Sequence, residues 1–126
     1  MPVARQRILL VEDDFLIAAL VEDMLADLGH EVTAMAERLD AAVALAQNGC
    51  FDLALLDLRI GAVLGYPVAD VLIARRIPFA FVTGQGVGGV DPAYASAPIL
   101  QKPFRLEDLA AMIGRLIVER SPPRGC

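Results

Sequence analysis

Ile8-Leu9-Leu10-Val11-Glu12-Asp13-Asp14 is the segment on which the fold turns. Four apolar residues in a row, without alternation and ended by acids, read as a strand buried on both faces, as in a parallel sheet. Leu53-Ala54-Leu55-Leu56 followed by Asp57 reads the same way, and Ile99-Leu100 stands just before Gln101-Lys102-Pro103-Phe104. In an open α/β sheet the carboxyl ends of such strands face one crevice, where ligands bind. An acid pair, a lone aspartate and a lysine therefore meet at one rim.

Residues 7–11 are the first strand. A helical stripe of Leu16, Ile17, Leu20, Val21, Met24, Leu25 and Leu28 comes next, stopped by Gly29. Residues 31–35 alternate weakly, as a short strand near an edge does. The next helix turns Leu39, Ala42, Val43 and Ala46 inward and ends at Gly49. Residues 52–56 form the third strand, and a loop with Gly61 and Gly65 leads to a helix around Val68–Arg75. Pro78-Phe79-Ala80-Phe81-Val82 is the fourth strand and Ile99-Leu100 the fifth. The last helix carries Leu106, Leu109, Met112, Ile113, Leu116 and Ile117, with Glu107 and Asp108 in its first turn, where the macrodipole favours acids. Strands alternating with helices give a parallel sheet with right-handed crossovers.

One interval departs from the pattern. Gly84, Gly86, Gly88 and Gly89 fall within six residues, and each costs about 1 kcal/mol relative to alanine in a helix. A loop is expected over residues 84–97, with only Val87, Val90 and Tyr94 to anchor it. Residues 121–126 read as a frayed tail after a single domain over residues 1–120.

A chain of 126 residues with a net charge of −5 is long enough for one core and unsuited to nucleic acid. No apolar run reaches the roughly 18 residues of a membrane span and no signal-peptide pattern is present, so a cytoplasmic location is expected. In that compartment Cys50 and Cys126 are expected to be plain thiols, and His30, in a turn after Gly29, a surface residue.

The rim residues suit phosphoryl transfer. A carboxylate such as Asp57 attacks phosphorus to give an acyl phosphate, and the reaction depends on positioning and on neutralising the equatorial oxygens. Mg²⁺ (or Mn²⁺) takes oxygen ligands from one or two carboxylates, waters and phosphate. Glu12, Asp13, Asp57 and the backbone carbonyl of Arg59 supply such a set. Lys102 offers a point charge and Thr83 a hydroxyl to the phosphoryl oxygens. Singly, each has an ordinary role: Asp14 as a helix N-cap, Asp57 as a turn residue, Lys102 as a solvated surface lysine. Their convergence at successive strand ends is what points to chemistry.

With those residues placed, the chain resembles the receiver domain of two-component response regulators over about residues 7–118. Ile8 to Asp14 resembles the acid-pair strand, Leu55-Leu56-Asp57 the phospho-acceptor strand, Val82-Thr83-Gly84 the hydroxyl strand and Gln101-Lys102-Pro103-Phe104 the lysine turn. The resemblance implies a flavodoxin-like (CheY-like) three-layer sandwich with strand order 2-1-3-4-5, here with a weak or missing fourth helix. It also implies Mg²⁺, a phosphoryl group taken by Asp57 from a sensor histidine kinase, a switch at Thr83 and Gly84, and a cis peptide before Pro103. Phe79-Ala80-Phe81-Val82-Thr83-Gly84 further resembles alphaproteobacterial single-domain receivers with a Phe-Ala-Thr-Gly signature, which implies a kinase of the HWE type. The position of the family's aromatic switch residue is Ile99, so signalling is expected to run through ordering of the glycine-rich segment. The expected protein is a stand-alone receiver acting on an unknown downstream or phosphotransfer protein, with neither nucleic acid nor membrane as partner. It is a phospho-acceptor rather than a dedicated enzyme. A haloacid-dehalogenase-type phosphatase would need a second aspartate two residues after the nucleophile, where Arg59 stands. A pseudo-receiver would have lost one of the acids or the lysine.

Overall fold

The computed structural model describes residues 4–84 and 89–119. The expectations for Gln85 to Gly88 and for the tail, including Cys126, lie outside those residues. Strand β1 (Arg7–Val11) leads into helix α1 (Phe15–Asp27), then β2 (Glu31–Ala36), α2 (Leu39–Asn48) and β3 (Leu53–Asp57). Two short strands, β4 (Arg59–Ile60) and β5 (Val63–Leu64), precede α3 (Tyr66–Ala74), β6 (Phe79–Thr83), a 3₁₀ turn at Pro92–Tyr94, β7 (Ile99–Gln101) and α4 (Leu106–Glu119). The main sheet has the order β2-β1-β3-β6-β7, all parallel, which is the expected 2-1-3-4-5 arrangement.

Successive strand side chains point to opposite faces, and both faces here are covered. Leu9, Val11, Ala54, Leu56, Phe79 and Phe81 pack with α2 and α3. Ile8, Leu10, Leu53, Leu55, Ala80 and Val82 pack with α1 and α4. β3 and β6 are buried at every position, which is why these segments read as unbroken apolar runs. Asp14 caps α1, its Oδ1 accepting from the amides of Leu16 and Ile17 at 2.9 and 3.2 Å. Gly29, at φ +88°, takes the left-handed position that ends the helix.

Four details differ from the sequence reading. Leu16 and Leu20 are 73% and 59% exposed rather than inward, because Ala18, Val21 and Leu25 face the sheet instead. The segment after Asp57 is not an open loop, since β4 and β5 form a small antiparallel hairpin. His30 is buried, its Nδ1 accepting from the Gln6 amide at 3.1 Å, so that burial pushes its pKa down. Cys50 is disulfide-bonded rather than a plain thiol.

Among the described residues of the segment after Thr83, helical structure is limited to 3₁₀ geometry, at Gly89 and in the Pro92–Tyr94 turn. That turn is nevertheless anchored. Tyr94 stacks on Tyr66 of α3 at 4.4 Å between ring centroids and meets Phe81 of β6 edge-on at 6.0 Å. Its hydroxyl donates to Asp70 Oδ1 at 2.6 Å, and Tyr66 Oη accepts from the Asp91 amide at 2.7 Å. No helix among the described residues is long and apolar enough to cross a membrane.

Candidate functional site

The sheet brings three strand ends to one rim, and backbone bonds beyond the strands hold the key residues there. The Glu12 amide donates to Ala36 O, the Leu58 amide to Val82 O and the Lys102 amide to Thr83 O, all at 2.9–3.0 Å. Each anchored residue carries or adjoins a candidate side chain, so the positions are set by strand pairing rather than by loop conformation.

Glu12, Asp13 and Asp57 converge so that one oxygen of each lies within 4.8 Å of the others. Glu12 and Asp57 are buried, each 4% exposed, whereas Asp13 faces solvent. Lys102 Nζ lies 3.2 Å from Glu12 Oε1, and 3.2 and 3.4 Å from the two oxygens of Asp57. Glu12 Oε2 accepts from the Asp14 amide at 3.0 Å, and Asp13 Oδ2 from the Gly61 amide at 2.8 Å. The peptide between Lys102 and Pro103 is cis.

Burial pushes the Asp57 carboxyl up to about 8, and the adjacent Glu12 adds to the shift through its hydrogen bond and charge, while Lys102 opposes it. At Lys102, burial works against the charged form, but Asp57 and Glu12 outweigh it and hold the ammonium above its usual range. One cation thus shares two buried acids, and Asp57 holds a proton near neutral pH.

Beside Asp57 opens a cavity of about 230 Å³ whose lining includes Arg59, Thr83, Gly84, Gly89 and Lys102. Thr83 is buried at the end of β6 and Gly84 is exposed beyond it. Ile99 lies apart from the cavity, paired with Phe81 at the start of β7 and packed on the α2–α3 side of the core. Arg59 opens β4, opposite Leu64 in the hairpin.

The donor set is oxygen throughout, from acids that repel one another, and that chemistry fits a hard divalent cation. Glu12, Asp13 and Asp57 are the side chains that would hold it. Reading the sequence missed Gly61 as a contributor. Its signal was present, since Gly61-Ala62 between Arg59-Ile60 and Val63-Leu64 is the Gly-X turn of a two-residue hairpin.

Comparison with known proteins agrees with this geometry. Residues 8–114 match the response regulator receiver domain. The transcriptional regulatory protein TcrA of Mycobacterium tuberculosis is 32% identical over 92% of this chain and 47% of its own length. The chain thus spans about half the length of the curated relatives it matches. The solution structure of SdrG from Sphingomonas melonis Fr1 superposes with a TM-score of 0.80 at 37% identity, over 91% of this chain and 98% of that one. The receiver domain of the sensor histidine kinase PA1611 from Pseudomonas aeruginosa PAO1 superposes with a TM-score of 0.78 at 32% identity, over 91% and 99% of the two chains, and holds a magnesium ion in its active-site cleft. By its sheet order, its rim of acids and lysine, and this match over most of its length, the chain belongs to the response regulator receiver family.

Proposed function

We propose that this chain is a stand-alone receiver that accepts a phosphoryl group on Asp57 from a sensor histidine kinase and signals through protein–protein contacts. The observation that carries the reading is the placement of Asp57. It is a buried carboxylate at the mouth of a cavity, with two further acids within 4.8 Å and an ammonium 3.2 Å away. An Asp57 oxygen attacks phosphorus, the bond from phosphorus to the donor's imidazole nitrogen breaks, and the released histidine takes up a proton. Lys102 and the Thr83 hydroxyl receive the phosphoryl oxygens, and the Gly84 backbone adjoins them. When bound beside Glu12, Asp13, Asp57 and the Arg59 carbonyl, Mg²⁺ or Mn²⁺ supplies charge neutralisation on those oxygens. The chain assists its own phosphorylation and hydrolysis without acting as a dedicated enzyme.

The donor kinase has a surface to meet. Phe15 and Leu16 open α1 directly after the acid pair and are 75% and 73% exposed, with Leu20 one turn on. An apolar strip of this kind beside a reactive carboxylate suits a helical partner presenting its histidine. Phe79 to Gly84 supports a kinase of the HWE type, through the partial Phe-Ala-Thr-Gly signature, and a cytoplasmic setting accords with that pairing. The downstream partner is a protein or phosphotransfer domain that reads the segment after Thr83.

Incubation with a small acyl-phosphate donor and Mg²⁺ tests the assignment. Acid-labile, hydroxylamine-sensitive phosphate is expected on wild type and none on Asp57→Asn. Full labelling of the variant would sink it.

A further inference from the structure

We propose that the amide of Gly61 is a positioning group for the cation site, holding the Asp13 carboxylate in register with Glu12 and Asp57. The inference rests on the cation reading of those three acids and concerns how the exposed one is kept in place. Glu12 and Asp57 are fixed by burial and by Lys102. Asp13 has neither support: it is exposed, and both neighbouring carboxylates repel it toward solvent. Among the described residues its side chain has one hydrogen bond, from the Gly61 amide to Oδ2 at 2.8 Å. That bond leaves Oδ1 available to a metal, the arrangement by which outer partners orient a ligating carboxylate.

The amide is itself held firmly. Gly61 stands at φ +61° at the tip of the β4–β5 hairpin, which is closed by the pairs Arg59–Leu64 and Ile60–Val63. Ile60 is buried and ties the hairpin to the core. At the hairpin base the Gly65 amide donates to Leu58 O at 2.7 Å, and a Cβ on Gly65 would lie 2.8 Å from the Asp57 carbonyl oxygen. The hairpin therefore starts just beyond Asp57 and reaches Asp13, linking the end of β3 to the end of β1.

A side chain at Gly61 would meet nothing within 4 Å, so only its positive φ resists substitution. Asparagine tolerates that conformation and a β-branched residue does not. Mg²⁺ affinity is measured calorimetrically on the full chain, with Mn²⁺ and its EPR signal for weak sites. Gly61→Asn is expected within about twofold of wild type, and Gly61→Val about 10–100-fold weaker. Gly61→Ala should be intermediate, and it serves where the valine variant fails to fold. In an Asp13→Ala background, Gly61→Val should bring no further loss, and the Gly61 amide resonance of Asp13→Ala should move upfield. Wild-type affinity in folded Gly61→Val and Gly61→Ala overturns the proposal. So does a loss of equal size in the Asp13→Ala background, which would place the effect on the hairpin carbonyls. A wild-type chain that binds neither ion defeats the cation reading itself, a result separable from either of these.

Discussion

Binding of Mg²⁺ should depend on pH through Asp57, and the size of the effect can be worked from the site. Burial first, then Glu12, raises this carboxyl to about 8. A cation needs the ionised form, so below that value binding must expel a proton. With a midpoint of 8, about 1% of the apo protein has Asp57 ionised at pH 6, about 10% at pH 7 and about 90% at pH 9. Apparent Mg²⁺ affinity should therefore rise about 90-fold from pH 6 to pH 9, steeply below 8 and flat above it. Binding at pH 7 should release about 0.9 proton per ion. Calorimetric titration in two buffers of different ionisation enthalpy gives both quantities. Asp57→Asn should bind more weakly and lose the slope. An affinity that changes less than about threefold over that range would break the link between metal and proton, since the ion would then bind without displacing the Asp57 proton.

Folding is linked to the same shift. The unfolded carboxyl titrates near 3.9 and the folded one near 8, so the folded state binds more protons between those values and apo stability falls as pH rises through that window. Asp57→Asn should remove the fall and leave the apo chain a few kcal/mol more stable than wild type at pH 8, with no such gain near pH 4, by urea denaturation. Lys102→Ala should keep the fold and move the midpoint of Mg²⁺ binding to higher pH, because the lysine is what holds the Asp57 value down; an unmoved midpoint counts against the pairing. His30 carries the opposite sign. Its folded pKa is lowered from about 6.5 by burial, so its contribution is complete above 6.5 and is lost as pH falls below it. In an Asp57→Asn background, where the opposing Asp57 contribution is removed, denaturation at pH 7.5 and 5.5 should show a loss on acidification that His30→Gln reduces. Tyr94→Ala should speed amide exchange over residues 89–97 while β3 stays protected; unchanged exchange would show that the Tyr66–Tyr94 stack does not anchor the segment.

The parts of the fold legible in the sequence are those governed by burial on two faces. β1, β3 and β6 lie in the middle of the sheet, so residues 8–11, 53–56 and 79–82 pack alternately into the cores on its two faces and read as apolar runs. The residues that end each run are then placed by strand pairing, which is why Glu12 and Asp57 converge without a loop having to be foreseen, whereas Asp13 is also held by the Gly61 amide of the β4–β5 hairpin. Helix faces were less legible. In α1 leucine occurs on both sides, and composition does not distinguish the side that meets the sheet through Ala18 and Val21 from the side that carries Leu16 and Leu20. His30 was illegible for a related reason, since its burial depends on the Gln6 amide 24 residues away, a pairing set by the register of β1 on β2.

The segment after Thr83 shows where local propensity and tertiary contact part. Its glycines argue against an α-helix, and the described residues show only 3₁₀ geometry, at Gly89 and at Pro92–Tyr94. A glycine-rich start does not, however, leave the far end unanchored. Tyr94 is held from three directions, by Tyr66, Phe81 and Asp70, and aromatic pairs contribute about 0.5–1.5 kcal/mol each beyond their buried area. The hydrogen bond from Tyr94 raises its own phenol to about 12, chiefly through the Asp70 acceptor, so the contact persists as a neutral donor across physiological pH. Phe81 stands two residues before Thr83 on β6, with Ile99 beside it on β7. Phe81 thus links the strand that ends at Thr83 to the Tyr66–Tyr94 stack, on the same face of the sheet as Ile99.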